Sequence, residues 1–336
     1  MTSPTSITAK HFTFLPSSSS SFPPKSRVVT LSYLPHEQIE CTPQSLLENL
    51  TLAERQKVQK YRMASDQKLS YGSILLQHHA ICHQFGCDKS QYEIHRTSAG
   101  KPYVLSKAFE IESWNYNVSH HGSYVGIVES TGGNIGLDIA TLTPRKSWDK
   151  GATEYLNMFH NQFTCKERKW QSNGHNDQER YRRFFVNWSL KEAYIKAIGR
   201  GLQMDLLDLE FHIEINDYAE EECVSGSKFD GKATLTVLTD HHRHQCQQGM
   251  QHQEGVEVGG DKDTAATAGW LFTFCSLDED HVAAIAIAPS SPSCLLSSPP
   301  SIACTGLDSP SFCASHVSLN PVRVTVESLL APPVYF

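Results

Sequence analysis

Nothing in the 336-residue chain approaches the twenty or so consecutive apolar residues that span a bilayer, so no membrane helix and no membrane partner are expected. The ten cysteines are scattered singly (41, 82, 87, 165, 223, 246, 275, 294, 304, 313) with no Cys-x-x-Cys, which points to free thiols in a reducing compartment rather than a disulfide framework. Excess positive charge is missing too. At a formal net charge of −7 the chain is not expected to bind nucleic acid through a generally basic surface, although a local basic patch is compatible. Acid is absent from residues 1–36, which hold Lys10, Lys25 and Arg27 among many Ser and Thr. Such a composition suits a disordered tail or a mitochondrial or plastid transit peptide; the expectation is a tail over 1–26 and a cytoplasmic protein.

Hydrophobic residues at 39% can build a core, but not along the whole length, so one large or two medium lobes are expected. Arg27 to Leu34 reads as a strand, Leu52 to Arg62 as a helix, and Ser65 to Phe85 as a second helix capped by Ser65, with Leu69, Leu76 and Ala80 as its buried seam. Lys57, Lys60, Arg62 and Lys68 read as a solvated face, the usual meaning of such a cluster. Tyr92 to His95 and the stretch after Gly100-Lys101-Pro102 are short strands, the glycine and proline stiffening the loop that presents Lys101. Asn117 to Val128 is a hairpin turning at Gly122 with His120 near its tip. Asn134 to Leu142 is a strand whose Asp138, between Leu137 and Ile139, needs a partner if buried; bonding to backbone amides is the structural alternative to a functional role. Trp148 to Trp170 is helical with a break, followed by a loop over 172–178.

Strands are expected at 209–215, 233–238, 270–276 and 282–288. Between them lies a polar insertion, 240–268, whose His241, His242, His244, Cys246 and His252 match no structural zinc spacing. The Ser/Pro-rich stretch 289–321 reads as unstructured, and 322–336 as a segment that docks back onto the body. The order strand, helix, strands occurs once before Asn134 and once after, which suggests two related α/β (α+β) lobes, 27–133 and 134–288, each a small sheet packed with a long helix.

Tyr181 to Leu202 is the element around which the chain is organised. At 100° per residue Tyr181, Phe184, Phe185, Trp188 and Ile195 share a face, and Gly199 and Gly201 end the run. Glu192 lies within that stripe, with Lys196 a turn later. An i, i+4 ion pair on a wet face is the bland reading, but the aromatic surroundings favour a partly buried acid that holds a metal or moves a proton.

Gly100-Lys101-Pro102, Asn117-Val118-Ser119-His120, Ile135-Gly136-Leu137-Asp138 and Trp188-Ser189-Leu190-Lys191-Glu192-Ala193-Tyr194-Ile195-Lys196, followed by Gly199-Arg200-Gly201-Leu202, stand in this order. Together they resemble the 4′-phosphopantetheinyl transferases, in the larger two-lobed monomeric branch that includes the enzymes activating aminoadipate-semialdehyde dehydrogenase. The resemblance covers roughly residues 27–290 and implies a pseudo-two-fold pair of lobes with the active site in the cleft between them. It implies transfer of the phosphopantetheine arm of coenzyme A to a serine of an apo acyl or peptidyl carrier protein, with release of adenosine 3′,5′-bisphosphate. The implied carriers are those of fatty-acid synthase, a mitochondrial acyl carrier protein or aminoadipate reductase, with an acidic carrier helix expected to dock at Lys57, Lys60 and Arg62.

By the same resemblance, Asp138 and Glu192 hold Mg²⁺ (or Mn²⁺) against the pyrophosphate, and Glu192 or metal-held water takes the serine proton. Lys196 neutralises charge on the phosphates, while His120, Lys101, Arg96 and Lys68 contact coenzyme A. Trp188 is assigned to packing against the second-lobe sheet. Many bacterial relatives place a second acid where this chain has Ala140, which implies looser metal binding and leaves a coenzyme A- or carrier-binding relative with little or no activity as the rival reading.

Overall fold

The computed structural model describes residues 6–14, 27–111, 114–145, 147–201, 204–216, 230–238, 269–289 and 319–325. In chain order the elements are β1 (Ser6–Phe14), β2 (Arg27–Pro35), α1 (Pro43–Asn49), α2 (Leu52–Gln59), α3 (Ala64–Phe85), β3 (Tyr92–Arg96), β4 (Pro102–Ser106), β5 (Asn115–His121), β6 (Tyr124–Ser130) and β7 (Ile135–Thr141). There follow α4 (Ala152–Met158), α5 (Cys165–Ser172), α6 (Asp177–Ile198), β8 (Leu209–Asn216), β9 (Asp230–Val237), β10 (Leu271–Ser276), β11 (His281–Ile287) and β12 (Leu319–Thr325). Two compact units result, Met1–Ile139 with Ser290–Phe336, and Ala140–Pro289. The chain therefore passes from one to the other inside β7, not at the expected 133/134 boundary.

The first unit is a five-stranded sheet of order β12-β1-β2-β6-β5, antiparallel at every pairing, with the β3-β4 hairpin as a separate ribbon. Strand β1 lies inside the stretch expected to be a disordered tail, and that reading fails for Ser6–Phe14. Averaged composition concealed a run rich in β-branched and aromatic residues, which suit a pleated surface. Its partner β12 spans the end of the Ser/Pro-rich stretch and the start of the segment expected to dock back. The His-rich insertion lies outside the described residues, as does Leu202.

Local signals explain the helix ends. Thr42 with Ser45, Thr51 with Glu54 and Thr164 with Glu167 form capping boxes at the starts of α1, α2 and α5. Helix α1 was absent from the sequence reading, although Thr42 and Pro43 mark its start. Helix α3 begins after Met63 without a side-chain cap, so the cap assigned to Ser65 is not used. Both 22-residue helices, α3 and α6, stop at a glycine in the left-handed region, Gly86 (φ 58°) and Gly199 (φ 69°), where a Cβ would be strained.

The second sheet has the order β7-β11-β10-β9-β8. Helix α6 packs on it through Ala193 and Ala197, both wholly buried, and through Tyr194, whose ring meets Trp270 and Phe272. On another side Phe184 and Trp188 meet Phe159 and Phe163 edge-on or tilted, near α4 and α5. Trp188 thus packs the core as expected, but against the helical layer instead of the sheet. Helix α6 buries residues on more than one side, Asn187, Ser189 and Lys191 among them, so the expected single stripe is only part of its buried surface.

Candidate functional site

In the first unit the Asn-x-Ser-His segment lies on β5, beside β7. The two strands are not neighbours in either sheet, and side chains take over the pairing. Asn117 Oδ1 accepts from the Leu137 N–H at 3.2 Å and Ser119 Oγ accepts from the Ile139 N–H at 3.1 Å, one on each side of Asp138. The Ser119 hydroxyl in turn donates to Asp138 Oδ1 at 3.4 Å. Asp138 is 8% exposed, so its carboxylate is held in place by its neighbours more than by solvent. Facing this stretch, Gly126 leaves room where a Cβ would meet Ile139 Cδ1 at 2.9 Å. His120 follows on β5 and is exposed, two residues before the Gly122-Ser123 turn at which Gly122 adopts φ 57°.

The loop between β3 and β4 is tied by the Thr97 N–H to Lys101 O (2.9 Å), the Gly100 N–H to Thr97 O (2.9 Å) and the Lys101 N–H to Thr97 Oγ1 (3.1 Å). Gly100, at φ 86°, makes the turn. Arg96 Nη1 closes it by donating to Gly100 O at 2.8 Å. Lys101 Nζ reaches Asn134 Oδ1 at 3.5 Å, an oxygen shared with Asn115 Nδ2. Burial draws the Lys101 ammonium down to about 8, so part of its charge is uncompensated by solvent.

A second cationic group lies nearby in the fold though not in sequence. Lys57 is held below its usual range by burial, then by the like charges of Arg96 and Lys60, with Glu54 partly offsetting them. Helix α2, which carries Lys57 and precedes Lys60, is anchored through Glu54, whose Oε1 lies 2.7 Å from His78 Nε2, while His78 Nδ1 lies 2.6 Å from the Tyr92 hydroxyl. Against the opposing effect of burial, His78 and Thr51 hold the Glu54 carboxyl down to about 2. Gathered like charges cost energy unless an anion meets them. Sequence reading assigned Lys57 and Lys60 to a solvated face or docking rim. No spacing rule links them to Arg96, which lies some forty residues on. Lys68 stands apart, its charge acting on Cys41, whose thiol burial pushes up.

In the second unit α6 presents Glu192 and Lys196, both half-buried, one turn apart. Ala140 is 3% exposed and packs in the core, so nothing at that position offers a ligand. Among the described residues no group of three or more His, Cys, Asp or Glu gathers. Asp138 in the first unit and Glu192 in the second are each carboxylates, hard oxygen donors of the type that Mg²⁺ takes from proteins alongside phosphate and water. Such donors suit a hard divalent cation and not structural zinc.

Two family models match the chain, "4'-phosphopantetheinyl transferase, N-terminal" over residues 39–132 and "4'-phosphopantetheinyl transferase superfamily" over 134–254. An L-aminoadipate-semialdehyde dehydrogenase-phosphopantetheinyl transferase of Schizosaccharomyces pombe is 31% identical over 189 residues, 53% of this chain and 70% of that protein. One of the same name from Xenopus laevis is 31% identical over 164 residues, 48% of this chain and 53% of that protein, so the chain spans about half the length of this relative. A phosphopantetheinyl transferase of Thraustochytrium sp. is 28% identical over 220 residues, 62% of this chain and 73% of that protein.

Proposed function

The chain belongs to the 4′-phosphopantetheinyl transferase superfamily, and from that premise we propose that it is a transferase moving the phosphopantetheine arm of coenzyme A to a serine of an apo carrier protein. The serine hydroxyl oxygen forms a bond to the phosphorus nearer the pantetheine, the bond from that phosphorus to the bridging oxygen breaks, and adenosine 3′,5′-bisphosphate leaves. The observation that supports this most is the gathering of Lys57, Lys60 and Arg96 in a protein of net charge −7. A substrate with a pyrophosphate and a 3′-phosphate matches such a surface, and Lys101, close to Arg96 through the Gly100 carbonyl, extends it.

Within this reading His120, Lys101 and Arg96 bind phosphate, with Lys57 and Lys60 added to the residues expected from sequence and Lys68 in a supporting place. Asp138 and Glu192 are the residues that hold Mg²⁺, or Mn²⁺. A cation held there would supply charge neutralisation at the pyrophosphate. Glu192 accepts the serine proton, and Lys196 offsets negative charge on the departing phosphate. The names of two relatives, which include L-aminoadipate-semialdehyde dehydrogenase, support aminoadipate reductase as one carrier; fatty-acid synthase carriers, a cytoplasmic location and a monomeric state complete the proposal.

The test is mass spectrometry of purified apo carrier proteins after incubation with this protein, coenzyme A and Mg²⁺ or Mn²⁺. The expected result is a gain of one phosphopantetheine per carrier, reduced at least about a hundredfold in rate by Glu192→Gln. No gain on any carrier with either metal would move the reading to a binding protein that has lost the chemistry.

A further inference from the structure

Among the described residues of the second unit, a wholly buried charge belongs to none of the groups assigned above. Lys191, the neighbour of Glu192 on α6, has a side chain that is 0% exposed, as does its partner Glu167 of α5, and the two meet at 2.7 Å. Lys191 Nζ also donates to the backbone carbonyls of Gln162 (3.0 Å), Leu206 (2.8 Å) and Leu209 (2.8 Å), and lies 4.9 Å from the centre of the Phe163 ring. Glu167 is engaged on both oxygens: Oε2 accepts from the Thr164 N–H at 2.9 Å and Oε1 from the Phe211 N–H at 2.9 Å. One pair of side chains thus joins α6 to the turn before α5, to the start of α5, to the segment after the Gly199 stop, and to β8.

Well-packed apolar residues of similar volume would stabilise such a site as well or better, so stability alone is a weak reason for a buried ion pair. What apolar packing cannot supply is direction. Hydrogen bonds to three fixed carbonyls and a carboxylate set both the rotation of α6 about its axis and its position along it. We infer that Lys191 and Glu167 are a positioning pair that fixes how α6 presents Glu192 to a divalent cation. Glu192 follows Lys191 by one residue, about 100° round the helix. A rotation of about 20° would carry a group roughly 6 Å from the axis through about 2 Å. Displacements of about 1 Å in a reacting site already cost on the order of a hundredfold in rate.

The inference rests on the assignment of Glu192 to the metal made above, and its test separates the two. In the double variant Lys191→Met/Glu167→Gln no charge is left orphaned, so the unit is expected to fold, with a circular dichroism spectrum and cooperative melt like those of the unaltered protein. Mn²⁺ binding in the presence of coenzyme A, followed by calorimetry with Glu192→Gln as the zero, is expected to weaken about tenfold or more. Carrier modification should fall in kcat by more than KM for coenzyme A rises, because His120, Lys101, Arg96, Lys57 and Lys60 lie in the other unit and Lys196 alone of the proposed phosphate contacts is on α6. A folded double variant with unaltered Mn²⁺ affinity and kcat would overturn the positioning role. If the double variant does not fold, Lys191→Arg decides: a folded protein with weakened Mn²⁺ binding supports the role, and unchanged binding removes it. Should the unaltered protein modify no carrier, the transferase reading fails, and the metal measurement still decides the inference.

Discussion

A lysine that titrates close to working pH would make the proposed phosphate contact conditional. Lys101, drawn down to about 8 by burial, carries its charge fully at pH 6 and loses it as pH climbs past 8. Phosphate binds the protonated form, so coenzyme A affinity is expected to weaken several-fold between pH 7 and 9, and Lys101→Met to be weaker throughout with a flatter profile. Calorimetric titrations across that range check it; parallel profiles for the two proteins would remove Lys101 from the phosphate contact. Ser119 gives a second expectation. It links the Ile139 amide to the Asp138 carboxylate, so Ser119→Ala should cost about 1 kcal/mol of stability and slow transfer by more than that loss of stability explains. At this scale the sequence was informative about motifs and silent about gatherings. Asp138 between two apolar neighbours could be read as an acid needing a partner, yet the partner, Ser119, is set by the crossing of β5 and β7. The group of Lys57, Lys60 and Arg96 has no local signature at all.

Elements were legible wherever periodicity or turn chemistry was strong. The hairpins at Gly100 and Gly122, the broken helical region before α6 and the strands of the second sheet all follow from alternation and from glycine or proline punctuation. Helix α6 starts at Asp177, four residues before the aromatic run, because Asn176 caps the Glu179 amide; polar residues there had read as loop. Strand β1 escaped notice in a polar, acid-free stretch, although it pairs with β2 as well as with β12, whereas the strand character of β12 was read in part, in the segment from 322 expected to dock back. Glycine in β9 carries a sharper constraint. A Cβ on Gly231 would lie 2.2 Å from the backbone oxygen of Glu214 and 2.5 Å from Phe274 Cζ. Backbone cannot yield as a side-chain tip does, so Gly231→Ala is expected to cost about 1–3 kcal/mol, read as a lower denaturation midpoint. A midpoint equal to that of the unaltered protein would mean that β8 and β9 separate easily.

For the molecule as a whole, the second unit is an insertion between two parts of the first, whose outer strand β12 arrives after it in the chain. Without β12, strand β1 would present an unpaired row of N–H and C=O groups. Removing 319–325 is therefore expected to lower the melting temperature and cause aggregation that grows with concentration, measured by light scattering; a deletion variant that stays monodisperse would show that β12 is dispensable. The register pairs Ser6 with Thr325. On a ribosome adding about 5–20 residues per second, the first of these residues waits on the order of 15–60 s for the other to be made. Until β12 is made the first unit has an open edge, and by then the second unit is complete in sequence, so a segment synthesised after the second unit finishes the first.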